Sequence, residues 1–197
     1  MSIELIDSHT HLTAPDFSED LADVIKRAAD SGVKILINIG AGYGAESAKK
    51  AVEISEMYSS VKASVGIHPH NAQADMSLLQ TLNKLALNKN VVAIGETVLD
   101  FFRDWSPKEN QETWFRAQVE LAIQVGKPLI IHSRSAAEEC FNILSEMKAS
   151  QVGGVFHCFA EDEKFAERLC DINFLVSFPG SITFKKADKL REIARKI

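Results

Sequence analysis

The segment Ile6-Asp7-Ser8-His9-Thr10-His11-Leu12 sets two histidines two positions apart, near the start of the chain and behind a short apolar run. In extended backbone, side chains at i and i+2 project to the same face. His9 and His11 can therefore aim two imidazoles at one ion while Thr10 faces away. Glu96, at the end of Ala93-Ile94-Gly95-Glu96, adds a hard carboxylate to an apolar run, where an unpaired charge is costly. A mixed imidazole and carboxylate set suits one or two divalent ions such as Zn²⁺, Mn²⁺ or Mg²⁺ better than Ca²⁺. Ions of that kind activate water for hydrolysis.

Such residues need elements that bring them together. Short runs rich in Ile, Val and Leu alternate with stretches of helical period, and the strand candidates are Glu4–Asp7, Lys34–Ile39, Lys62–Gly66, Val91–Gly95, Leu129–Ile131, Gly154–Phe156 and Asn173–Phe178. Ser106-Pro107-Lys108-Glu109 reads as a helix start with Ser106 as N-cap, and Gly126 and Pro128 as its stop. Ser135-Ala136-Ala137-Glu138 reads as a second capping box. Strands apolar on both faces and joined by helices imply a parallel sheet covered by helices, and the best fit is a single TIM-type (β/α) barrel domain spanning residues 1–197.

All six histidines fall just after candidate strands: His9 and His11 after the first, His68 and His70 after the third, His132 after the fifth and His157 after the sixth. In a (β/α) barrel those strand ends converge on the mouth where active sites are built. A hydrogen-bonded structural role is the simpler reading for His70, and His68 is balanced between structure and chemistry. Cys158 follows His157, so it faces the other way and reads as a packing residue.

Composition narrows the class. With 46% hydrophobic and 25% charged residues the chain reads as a globular domain, with neither a membrane helix nor a signal peptide, and the expected location is cytoplasmic. Cys140, Cys158 and Cys170 show no metal-type or disulfide-type spacing, in keeping with a reducing compartment and packing roles. The net charge of -5 argues against a broad electrostatic grip on duplex nucleic acid but leaves room for a local phosphate site. Arg103, Arg134 and Lys127 are the cations available for one.

Six stretches, IDSHTHL, VGIHPHNA, AIGETVLDFFRD, PLIIHSRSA, GVFHCFAED and FPGSITFKKA, occur in the order and at about the spacing of the TatD family of metal-dependent hydrolases, which the chain resembles over nearly its whole length. The resemblance implies a TIM barrel, a divalent-metal centre and phosphodiester hydrolysis of the 3′→5′ exonuclease type, with DNA as a single strand or a 3′ end as substrate. By motif position it implies His9, His11, Glu96, His132 and His157 as metal ligands. Glu96, His68 and Asp100 become the candidate catalytic groups, and His68, Arg134 and Arg103 the candidate substrate contacts.

The resemblance also carries departures. Val98 stands where the family motif has glycine, and Ser135 stands where an acidic residue often follows the arginine. The family's last metal ligand, an aspartate in an ETD motif after strand eight, has no counterpart here. Expected, then, are seven of eight strands, a C-terminally incomplete barrel whose strands one and seven flank a gap, and self-association through that open edge. The apolar stripe Leu190, Ile193, Ala194 and Ile197 predicts a final helix running up to the last residue. Two other function classes share these residues: an amidohydrolase or esterase-type enzyme such as an aminoacyl-tRNA deacylase, and a catalytically impaired barrel fragment with a remnant metal site.

Overall fold

The computed structural model describes residues 4–43, 46–68, 77–103 and 106–197; His70 lies outside them. Strands β1 (Leu5–Thr10), β2 (Val33–Gly40), β3 (Val61–Val65), β4 (Val91–Asp100), β5 (Leu129–Arg134), β6 (Gly154–Phe156) and β7 (Phe174–Val176) carry the Val, Ile and Leu runs that the sequence separates with helices. The helices between and after them are α1 (Leu21–Asp30), α2 (Ser47–Met57), α3 (Leu78–Ala86), α4 (Lys108–Val125), α5 (Ala137–Glu146), α6 (Glu163–Asp171) and α7 (Asp188–Lys196). The strands form one parallel sheet in the order β1-β2-β3-β4-β5-β6-β7, curled as in a (β/α) barrel. Among the described residues no ladder joins β7 back to β1, so these two strands are the edges. Leu5 and Ile6 on one edge and Leu175 on the other are 47%, 62% and 70% exposed.

The sheet is apolar on both faces, as a parallel sheet needs to be. On the outer face Trp114, Phe115, Val119 and Ala122 of α4 pack with Val65, Ile94, Leu99 and Leu129, in a core that continues through α5 and α6 to Phe156, Leu169 and Phe174. On the inner face Ile39, Ala93 and Ile130 gather with Ile37 and Val155. Ile37, Ala93, Ile130, Val155 and Leu175 border a cavity of about 410 Å³. Ile130 lies two residues before His132 and Val155 two before His157, so strand alternation sets each histidine above an apolar inward side chain. That cavity is bordered by Pro128, Gly153 and Asn173 at the start of β5, β6 and β7, and none of the clustered histidines lines it.

Of four register irregularities among the described residues of the sheet, two lie beside the site. Asp7 to Thr10 advances three residues while its partners Leu36 to Asn38 advance two. Ile94 to Thr97 does the same against Leu129 to Ile131. Each inserts one extra residue, and β1 and β4 run on to Thr10 and Asp100, beyond the expected ends at Asp7 and Gly95. Bulges re-aim side chains next to active sites. Here they fall at His9 and at Glu96. Gly95, in the second bulge, has φ +140°, and a Cβ there would lie 2.5 Å from the Ile130 carbonyl oxygen.

Both predicted N-caps are corrected. Helix α4 starts at Lys108 with Pro107 in the cap position, and the Ser106 hydroxyl makes no cap bond. The Ser106 carbonyl accepts from the Gln111 side chain at 2.9 Å, which ties the turn before α4 to its first turn. Helix α5 starts at Ala137, and Ser135 sits in the left-handed region at φ 55°, where its side chain cannot complete a capping box. The α4 stop is as expected: Gly126 takes φ 65°, and its amide bonds back to the last turn. Val98 is buried in β4 opposite His132. Helix α7 buries Ile193 while Ile197 remains 46% exposed.

Candidate metal centre

Strands β1, β4 and β5, and the residue after β6, bring five side chains to one spot. The Nε2 atoms of His9 and His11 face each other at 3.2 Å, and the His9 ring stacks on His157 at 4.0 Å between centroids. His157 Nε2 lies 2.5 Å and His132 Nδ1 3.0 Å from Glu96 Oε1. Ligand-type atoms of His9, His11 and Glu96 all lie within 4.8 Å of one another, and so do those of Glu96, His132 and His157. Glu96 belongs to both groups. Thr10 turns away as the alternation requires and donates to the Ile37 carbonyl at 3.1 Å.

The electrostatics fit a cation at each group. Burial is the largest influence on His9 and, with the neighbouring His157, holds it down to about 4, so its ring is neutral and offers a lone pair. Burial also lowers His11. Burial pushes Glu96 upward, but hydrogen bonds from His132 and His157 outweigh it and hold the carboxyl well below its usual range. His157 behaves oppositely: burial lowers it, yet contacts with Cys158 and Glu96 prevail and raise it to about 9. A proton on His157 thus takes the place of positive charge beside Glu96. The buried Nδ1 atoms of His9 and His11 have no hydrogen-bond partner, while their facing Nε2 atoms are set as two lone pairs sharing one ion would be. Two imidazoles and a shared carboxylate at this spacing are the donor chemistry of Zn²⁺ or Mn²⁺.

The other candidates fall around this cluster. His68 is buried, with its ring 5.9 Å from that of His132. Asp100 is buried at the end of β4, and its Oδ1 accepts from the amides of Phe102 and Arg103 at 3.0 Å each, fixing the loop that follows. Neither group of possible ligands includes Asp100. Arg134, two residues beyond His132, holds its guanidinium 4.1 Å from the centre of the Phe102 ring. Arg103 sits in the same loop.

Two expectations are corrected. Lys127 lies before β5, at the N-terminal end of the strands, and its Nζ donates to the carbonyls of Ala86 and Asn88 at the end of α3. Its charge serves a helix terminus on the far side from the site. Cys158 is exposed with φ 54° because the chain turns sharply after β6, and its side chain reaches back to His157. Cys140 is buried as a packing residue, with burial pushing its thiol up to about 12, whereas Cys170 is also exposed; all three thiols are free.

Two glutamines escaped the sequence reading. The Gln118 side chain accepts from the Ile67 amide at 2.7 Å and donates to the Ile67 carbonyl, Thr97 Oγ1 and Trp114 carbonyl. It ties the segment carrying His68 to β4 beside Glu96. Gln111 accepts from the Asp100 amide at 2.9 Å and holds the loop beyond β4. The available signal was a polar residue on an apolar helical stripe: Gln111, Trp114, Phe115, Gln118 and Ala122 share the buried side of α4.

A curled parallel sheet with histidines and a carboxylate gathered at its strand ends defines the metal-dependent hydrolases of the (β/α)-barrel type. The TatD related DNase family model matches residues 6–197, and the chain belongs to that family. It is 39% identical over 195 residues to the metal-dependent hydrolase YabD of Bacillus subtilis, covering 98% of this chain and 75% of that protein. It is 32% identical over 192 residues to the 3′-5′ ssDNA/RNA exonuclease TatD of a Pantoea species, covering 96% of this chain and 73% of that one. The crystal structure of YjjV, a TatD homologue from Escherichia coli, superposes over the whole chain with a TM-score of 0.89 at 29% identity, and 76% of that chain is covered. The fold is thereby shown, and the enzyme class is a metal-dependent hydrolase. Among the described residues no helix is long and apolar enough to cross a membrane.

Proposed function

We propose that this chain hydrolyses phosphodiester bonds of single-stranded nucleic acid from a 3′ end. The observation that carries the reading is Glu96, one carboxylate common to two three-residue groups that meet at the mouth of the sheet. His9, His11 and Glu96 would hold one ion; Glu96, His132 and His157 would hold a second. Divalent ions bound in pairs supply an acidified water and a neutralising charge for in-line displacement at phosphorus. Burial keeps His9 neutral, so that ligand needs no deprotonation, and the anionic Glu96 offsets positive charge brought to the site. Arg134, exposed just beyond His132, would orient a phosphate oxygen, with the buried His68 as a further donor. The Pantoea relative is named a ssDNA/RNA exonuclease, which supports the choice of substrate.

The test is direct. Protein stripped of metal and resupplied with Mn²⁺, Mg²⁺ or Zn²⁺ should shorten a 5′-labelled single strand from its 3′ end, and Glu96→Gln or His9→Ala should lower metal binding and turnover together. Preferential cleavage of an aminoacyl ester would overturn the reading. So would full metal binding in both variants.

A further inference from the structure

We infer that Phe102 and Tyr43 are stacking platforms for unpaired bases, and that with Arg134 they make the site select an unpaired nucleotide end. The inference rests on the phosphodiesterase reading above and adds the feature of the substrate that is recognised.

Most large apolar side chains here are buried, yet the Phe102 ring is 65% exposed beyond β4, in the loop next to the site. The ring is held rather than loose. Asp100 Oδ1 accepts from its amide at 3.0 Å, Gln111 clamps Asp100 on both sides, and the Arg134 guanidinium lies 4.1 Å from the ring centre. Arg134 follows His132 by two residues along β5, so alternation sends both toward the same side of the sheet. One planar cation beside the cluster thus has an exposed aromatic ring against it. Tyr43, beyond β2, is 49% exposed, and its ring stands edge-on to His11 at 5.8 Å. Tyr43 thus borders the cluster beyond β2, and Phe102 lies against Arg134, two residues past His132 on β5.

Exposed aromatic rings beside a phosphate-binding cation are what single-strand binding uses: each base has a π-face, and stacking tolerates sequence. A paired base inside a duplex has no free face to give. With few cations to track a backbone beyond the phosphate held at the site, on a chain of net charge -5, stacking supplies the contact to the bases. The geometry thereby favours a frayed or single-stranded end over a duplex interior or a base-free phosphodiester.

The test places 2-aminopurine at the 3′-terminal position of an oligonucleotide whose last linkage is a non-hydrolysable phosphonate, and reads its fluorescence on binding to the Mn²⁺-loaded protein. Quenching is expected with the wild-type chain. Phe102→Ala and Tyr43→Ala should weaken quenching and affinity about 5- to 150-fold, the range one stacked base commands, and Phe102→Trp should restore it. In turnover assays an abasic 3′ terminus should raise KM in the wild type and lose most of that effect in the alanine variants. Equal losses on normal and abasic strands, or unquenched fluorescence in a bound complex, would overturn the inference. Quenching without hydrolysis under any divalent ion would sink the phosphodiesterase reading and leave the stacking inference standing.

Discussion

Replacing Glu96 by glutamine keeps the size of the side chain and removes its charge, which isolates what the carboxylate does to its histidines. In the metal-free chain His157 is raised from the ordinary 6.5 to about 9 against the opposing effect of burial, by its contacts with Cys158 and Glu96. Each pKa unit corresponds to about 1.4 kcal/mol, so the raised value represents roughly 3 kcal/mol of preference for the protonated ring. Because the folded value is raised, this stability is fully present below the unfolded value and is lost as pH rises through about 9. A metal ion entering the Glu96, His132 and His157 group must displace that proton, so its apparent affinity should climb roughly tenfold per pH unit up to about 9. His9, held down to about 4, imposes no such cost at neutral pH. Imidazole NMR titration of the metal-free chain should place the His157 midpoint near 9, and Glu96→Gln should lower it by more than one unit. The thermal stabilisation given by added metal should also grow between pH 6.5 and 9. A wild-type His157 midpoint near 6.5, or one that Glu96→Gln leaves unchanged, would refute the reasoning.

The remaining predictions concern what supports the cluster. Gln118→Leu leaves both the amide and the carbonyl of Ile67 without the partners they now have, and should cost about 2 to 4 kcal/mol in urea unfolding; unchanged stability would show that other groups replace them. Gly95→Ala sets a Cβ 2.5 Å from the Ile130 carbonyl oxygen at a positive φ, so β4 must shift from β5, lowering both melting temperature and metal binding in parallel. Few cations stand at the mouth, so the affinity for a single strand should fall with salt on a logarithmic slope of about one to three; a much steeper slope would mean an extended basic track.

How much of this was legible in the sequence depends on the range of the interaction involved. Strand positions were legible because each apolar run must be buried on both faces, and periodicity reports burial directly. Helix starts were not. Ser106 and Ser135 carry the right side chains in the right order, but Pro107 takes the cap position of α4 and Ser135 takes φ 55°. Backbone conformation around each start, not side-chain type, decided both. Lys127 was legible but misassigned: it precedes the strand candidate Leu129–Ile131, which sets it at the N-terminal end of β5, and its Nζ serves carbonyls at the end of α3.

The five clustered residues were legible as a set because one rule, side chains at the C-terminal ends of parallel strands, maps sequence position onto a single place. What that rule omits is rotation about each strand axis. Strict alternation continued from Ala93 would send Gly95 inward and Glu96 outward, into the helix layer; the extra residue between Ile94 and Thr97 brings Glu96 onto the inner side instead. A bulge of this kind leaves no mark in composition, and here its trace is Gly95, whose φ of +140° excludes a side chain beside Ile130. Gln118 completes the arrangement by bonding Thr97, the first residue after the bulge, to the backbone of Ile67, so that Glu96 and the segment bearing His68 are fixed to the same helix. The site thus depends on a glycine and a glutamine that carry no chemistry of their own. Their loss should displace the Glu96 carboxylate before it moves the histidines of the cluster.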